Sequence, residues 1–204
     1  MKETTFNPPA SMVARIAPTE PCTPFGYPCQ GPDMKMLRGI VHDPTARRMG
    51  GVAGHAGLFS TAADLALYSR MLLGGGAVNG SRILAPLTVS RMTSAATPAA
   101  TPAGEANVRG FGWDIDSSYS VNRGEFLPLG SFGHTGFTGT SIWIDQASRV
   151  FVIFLSNRLH PDGSGDVTPL RARVATVVAS SLTDVAAETL AQTAKTEHGP
   201  QHAS

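Results

Sequence analysis

Lysine is scarce in this sequence: the 204 residues hold three, Lys2, Lys35 and Lys195. No basic run is longer than Arg47-Arg48, and the formal net charge is +1. A chain this close to neutral offers no field for nucleic acid or for an anionic membrane surface, so neither is expected as a partner. Long apolar runs are also missing. No stretch approaches the roughly 20 apolar residues of a membrane-crossing helix. The opening Met1-Lys2-Glu3-Thr4-Thr5-Phe6-Asn7-Pro8-Pro9 lacks the apolar centre of a signal peptide, and a leader, if the protein is exported, is expected upstream. Cysteine is limited to Cys22 and Cys29, in a Pro- and Gly-rich segment. Their spacing is no zinc motif. It leaves open a disulfide in an oxidising compartment or two free loop thiols. No Cys-x-x-Cys occurs, and no Gly-x-Ser-x-Gly elbow, the latter absence disfavouring an α/β-hydrolase. His42, Asp43 and His55 are too few ligands, too irregularly spaced, to read as a metal site. The expectation is no metal and no cofactor.

What is present is a 42% hydrophobic composition, enough for a sizeable core. Prolines at 8, 9, 18, 21, 24, 28, 32 and 44 break the first fifty residues into loops. After Gly57-Leu58-Phe59 the pattern turns helical. Thr61-Ala62-Ala63-Asp64 reads as a capping box, Leu65, Tyr68 and Leu72 recur at helical spacing, and Gly74-Gly75-Gly76 ends the helix. A shorter helix is expected from Pro86 to Ser94, and a linker-like loop over 95–108. Alternation at Phe111, Trp113 and Ile115 then predicts a strand, with the two tryptophans, Trp113 and Trp143, in the core or a cleft wall. A second strand is expected over 140–145. A third, apolar on both faces and so covered on both sides, is expected over 150–155, joined to the second as a hairpin. A helix over 169–182 follows.

The chemically suggestive stretch is Phe132-Gly133-His134-Thr135-Gly136-Phe137-Thr138-Gly139-Thr140-Ser141. Gly136 leaves room for a carbonyl to approach the backbone, with His134 and Thr135 beside it. A strand edge here, at 137–145, could take an extended substrate by strand addition, and one N–H could hold an oxyanion. A Gly-rich turn opening a hairpin explains the same residues.

Two motifs carry a family resemblance. Gly50-Gly51-Val52-Ala53-Gly54-His55-Ala56-Gly57-Leu58-Phe59-Ser60-Thr61-Ala62-Ala63-Asp64-Leu65 is similar to the Gly-Gly-Leu-Phe-Ser-Thr-Ala-x-Asp-Leu signature of the serine β-lactamase and penicillin-binding-protein family. The branch resembled is that of class C β-lactamases, D-alanyl-D-alanine carboxypeptidases and esterases. Gly133-His134-Thr135-Gly136, followed downstream by Leu155-Ser156-Asn157-Arg158, resembles its Lys/His-Thr-Gly element. The resemblance implies an α+β fold, a partial β-lactamase/transpeptidase-like architecture. Residues 1–108 would belong to the helical lobe and 109–187 would supply C-terminal strands and a helix of the α/β lobe. The tail, 188–204, lies outside the resemblance and is expected to be disordered because it is polar and weakly patterned. The resemblance also implies covalent acyl transfer on a small-molecule or peptide substrate, in the cell envelope or periplasm. His134, Thr135 and Gly136 would bind substrate, with His134 biasing the local charge, and the Phe137 N–H would form half of an oxyanion hole. His55 would lie in the loop bordering the cleft.

The family nucleophile is missing. The residues three before Lys35 and Lys195 are Pro32 and Gln192, and Lys2 has none, so no Ser-x-x-Lys exists. Tyr-x-Asn is absent too. Ser120-Val121-Asn122 lies too near the triplet to replace it and reads as a turn. The expectation is therefore a C-terminal part of a serine hydrolase that is inactive alone, and that needs a missing N-terminal portion or a complementing chain. The alternatives are a non-catalytic peptide- or carboxylate-binding module and one half of a split enzyme.

Overall fold

The computed structural model describes residues 1–22, 35–97 and 107–187. The chain divides into two compact units. The first comprises residues 1–68, 136–140 and 155–167, and the second takes 69–135, 141–154 and the chain from Thr168 on. Cys29, most of the expected linker and the expected disordered tail lie outside the described residues. Among those described, no helix is long and apolar enough to cross a membrane.

In the first unit two short helices, α1 (Ala10–Val13) and α2 (Pro44–Arg48), interrupt the loops that the prolines dictate. Asp43 caps α2, its carboxylate accepting from the Ala46 N–H at 2.7 Å, with Pro44 at the first helical position. Leu37, Ala46 and Leu159 are buried at the centre of this unit, and Cys22 is buried and disulfide-bonded.

Helix α3 (Ala62–Leu73) begins where the capping pattern places it. Thr61 Oγ1 accepts from the Asp64 N–H at 3.3 Å, but the Asp64 carboxylate does not return to Thr61, as a capping box requires. It accepts instead from the Lys2 and Glu3 N–H groups, at 3.3 and 2.8 Å, and from the Thr4 hydroxyl at 2.8 Å. The N-terminal segment is thereby tied down, and Thr5 pairs with Phe59 as an antiparallel bridge. Burial pushes the Asp64 carboxyl up, but these hydrogen bonds outweigh it and hold its pKa below the ordinary aspartate range. A depressed carboxylate stabilises above its unfolded pKa and loses that contribution as pH falls through the folded value. The Thr5 and Phe59 amides are therefore expected to lose hydrogen-exchange protection on acidification below about pH 4, and at neutral pH in Asp64→Ala. Unchanged protection in both would show that the segment is held by other contacts.

The second unit is built on an antiparallel sheet. Helix α3 ends here with Met71 and Leu72 buried, and strands β1 (Ala77–Val78) and β2 (Ser81–Arg82) form a small hairpin ahead of α4 (Pro86–Thr93). The main sheet has five strands in the order β3 (Asn107–Arg109), β4 (Asp114–Ser117), β5 (Phe132–Thr135), β6 (Ser141–Asp145) and β7 (Val150–Phe154). Three strands were expected from the pattern. The first is shifted toward the C-terminus and gains β3 as a partner, which overlaps the end of the 95–108 segment read as linker. Helix α5 (Thr168–Ser180) packs on β7 and on a 3-10 turn at Ser120–Arg123.

The β6–β7 hairpin forms as the alternation predicts, with Trp143 opposite Val152 and Ile144 opposite Phe151. Asp145 fixes its turn, accepting from the Ser148 N–H at 2.8 Å and from its hydroxyl. Strand β7 departs from expectation. Among the described residues it ends the sheet, paired only with β6, and four of its five residues are half-buried. The core of the unit is Trp143, Phe132 and Ile144, each at most 2% exposed. Phe132 meets Trp113 edge-to-face at 5.1 Å, and the Trp143 indole N–H donates to Ser131 Oγ at 2.8 Å.

Candidate active site

The triplet begins at the end of β5. Gly133 pairs with Asp114 of β4 on one side and with Trp143 of β6 on the other. That Asp114 pair is the single β4 pair of the strand, so His134 and Thr135 run past β4 while still paired to Ile142 and Ser141 of β6. The expected edge strand at 137–145 is not formed: 137–140 is a turn, and β6 lies between β5 and β7. Within the triplet, the open strand stretch is instead His134-Thr135, which among the described residues has a neighbour on its β6 side alone. The short β4 explains this, since its register with β3 breaks at Val108/Arg109.

His134 is exposed, and its Nδ1 donates to the Thr135 carbonyl at 2.8 Å. With Nδ1 committed as donor, Nε2 can donate to an incoming group only in the imidazolium form. The Thr135 hydroxyl is half-buried and has no hydrogen-bond partner among the described residues.

The chain then enters a tight turn that belongs to the first unit. The Gly136 N–H donates to the Thr140 carbonyl at 2.7 Å, and the Gly139 N–H donates to the Gly136 carbonyl at 3.0 Å. The space a Cβ would occupy at Gly136 is taken by the Thr140 hydroxyl, so the side-chain-free position first serves the turn itself. Gly139, at φ +125°, sits against the Ser156 carbonyl, where a side chain would be both strained and crowded.

Phe137 is 68% exposed, unusual for a large apolar side chain. Its ring stacks with His42, centroids 5.7 Å apart, and the Arg158 guanidinium lies 4.4 Å from its centroid. His42 in turn sits 3.3 Å from the buried Glu20 carboxylate. No acceptor among the described residues takes the Phe137 N–H. His55, weighed as a cleft residue, is exposed and bonds Asp43 at 3.0 Å. The Asp43 carboxyl is held below its ordinary range, first by the Ala46 N–H and then by His55. His42 and His55 thus pair with different carboxylates, Glu20 and Asp43. The residues around Phe137 were not found from sequence: His42 drew notice only as a metal ligand, and Arg158 only as the end of a motif.

The family model described as Beta-lactamase matches residues 1–176. A Salmonella gallinarum protein named as a candidate D-alanyl-D-alanine carboxypeptidase is 36% identical over 137 residues, which is 65% of this chain and 30% of that protein. A Salmonella paratyphi B protein of the same name is 35% identical over the same extent. The chain thus spans about a third of the length of the curated relatives it matches. Among solved structures, a family VIII carboxylesterase superposes with a TM-score of 0.54 at 17% identity, covering 87% of this chain and 47% of that one. That likeness shows the fold, a mixture of helices and antiparallel sheet of the β-lactamase/transpeptidase kind, present here in part. With most of its length matched by the family model, the chain belongs to the Beta-lactamase family.

Proposed function

We propose that this chain is the C-terminal part of a serine hydrolase that works through an acyl-enzyme on a D-Ala-D-Ala peptide, a β-lactam or a small ester. The observation that carries the reading is the run His134-Thr135-Gly136-Phe137 leaving β5. It offers an exposed imidazole, a hydroxyl without a partner and an N–H without an acceptor, among the described residues. In this reading His134, as imidazolium, and Thr135 hold the substrate carboxylate, and the Phe137 N–H takes one hydrogen bond of the oxyanion. The names of the Salmonella relatives favour the D-Ala-D-Ala peptide among the three substrates.

The nucleophile comes from outside these residues. Ser-x-x-Lys puts the lysine one helical turn from the serine, where it can take the serine proton, and no such pair exists here. Residues 1–108 then contribute to a helical lobe and 109–187 to an α/β lobe, and the edge of β7 that is unpaired among the described residues receives strands from the absent portion. The chain alone is expected to leave a chromogenic acetate ester and nitrocefin at the buffer rate. Co-expression with an upstream-encoded segment bearing Ser-x-x-Lys is expected to restore turnover. Turnover by the 204 residues alone, or none in the combined protein, would overturn the proposal.

A further inference from the structure

We infer that Arg158 is the positioning residue that aims the Phe137 N–H, together with Ser156. The inference rests on the reading of that N–H as an oxyanion donor and adds what holds it there.

The Gly136 carbonyl is held by the Gly139 N–H at 3.0 Å. The Gly136–Phe137 peptide is trans, so the Phe137 N–H points opposite to that carbonyl, away from the interior of the turn. The next three carbonyls are all held by the segment after β7. Phe137 O accepts from Arg158 Nε at 2.7 Å, Thr138 O from the Arg158 N–H at 2.9 Å, and Gly139 O from Ser156 Oγ at 2.7 Å. With the planes on both sides of Phe137 fixed, its φ and ψ have little freedom, and the N–H direction is set.

Arg158 is itself anchored. Its Nη1 donates to the Gly165 carbonyl at 3.0 Å, and its guanidinium lies over the Phe137 ring. One side chain therefore grips both the carbonyl and the ring of the same residue. Among the described residues no carboxylate pairs with it, and its Nε and Nη1 donors go to backbone oxygens. A lysine could supply the charge over the ring, but it has no planar fork to reach two carbonyls at once. An oxyanion donor acts only if it is in place before charge develops, and removing one such donor costs roughly a hundredfold to a thousandfold in rate. The clamp supplies that preorganisation without Arg158 touching substrate.

The test uses the 15N-labelled 204-residue chain and two readouts. In the free chain the Phe137 and Thr138 amides are expected to show rigid-backbone order parameters near 0.85, falling below about 0.6 in Arg158→Ala and to an intermediate value in Arg158→Lys. The amides of β6 and α5 should not change, which establishes that the variants fold. In the second readout N-acetyl-D-Ala-D-Ala is titrated in. The wild type should show shifts at His134, Thr135 and Phe137. Arg158→Ala should keep the first two and lose that of Phe137. Unchanged order at Phe137 in Arg158→Ala overturns the positioning role. Lost order with no peptide response at 134–137 in the wild type supports the clamp and overturns the substrate reading.

Discussion

Replacing His134 or Thr135 by alanine is expected to weaken binding of N-acetyl-D-Ala-D-Ala to this chain about tenfold to a hundredfold each. The figure follows from the bonds removed. A hydrogen bond to a charged partner contributes about 1.5–3 kcal/mol, and each 1.4 kcal/mol is a factor of ten. Both side chains stand beyond the single β4 pair of their strand, so truncating them should leave the sheet intact. His134 is exposed and uses one ring nitrogen on its own neighbour's carbonyl, while the Thr135 hydroxyl has no partner among the described residues to lose. Thr88→Ala, at an exposed position on α4, serves as control and should bind as the wild type does. Isothermal titration of the four proteins decides the matter. Equal affinities throughout would mean that the strand end does not recognise carboxylate.

Gly133→Ala is expected to do the reverse: to destabilise the second unit by about 3 kcal/mol or more, within the range for severe overpacking and backbone displacement. A Cβ at this position would overlap the Trp143 ring and the Ile142 carbonyl. Neither can retreat. Trp143 is 2% exposed, opposite Gly133 in the β5–β6 register, and its indole N–H is tied to the buried Ser131. The carbonyl belongs to β6, which is held by β7 on its other side. Gly136→Ala should be much milder, because there the nearest atom is the end of a threonine side chain. Urea denaturation of both variants, followed by tryptophan fluorescence, gives the comparison. A Gly133→Ala midpoint equal to the wild type would mean that β5 and β6 do not pack in this register.

The two halves of the chain were not equally legible. The β6–β7 hairpin could be read because its signals agree: apolar alternation, a short polar turn, and β-branched residues on both sides. Helix α3 was legible for the same reason, with Thr61 before it and glycines after it. Strands β3 and β4 were obscured by their own composition. β4 reads Asp-Ile-Asp-Ser, with two strand-disfavouring aspartates, and is tolerated because the buried Asp114 carboxylate accepts from the Ser117 and Ser120 hydroxyls at 2.6 and 3.1 Å. Those partners, the last residue of β4 and the first of the 3-10 turn, have no periodic signature. The wrong edge at 137–145 follows from the same gap, since the open stretch of β5 depends on how short β4 is.

At the candidate site the triplet was legible and its support was not. His134, Thr135 and Phe137 were singled out through resemblance, because spacing alone equally describes a hairpin turn. Arg158 reaches Phe137 across 21 positions, and His42 reaches it from a proline-broken loop. Neither approach leaves a trace in local pattern. Asp64 shows the opposite case: a residue read as a local cap turned out to bind Lys2, Glu3 and Thr4, over sequence separations of about sixty.

The central claim is that the nucleophile of this family site lies outside these residues while the carboxylate-binding strand end lies within them. Intact mass spectrometry after benzylpenicillin treatment tests it most directly, on the 204-residue chain and on the protein extended by the coding sequence upstream of Met1. The account predicts no adduct on the chain alone. On the extended protein it predicts one penicilloyl adduct, mapping to the serine of a Ser-x-x-Lys. An adduct on any residue of the chain alone would contradict it, as would an extended protein that carries no such serine and takes no adduct.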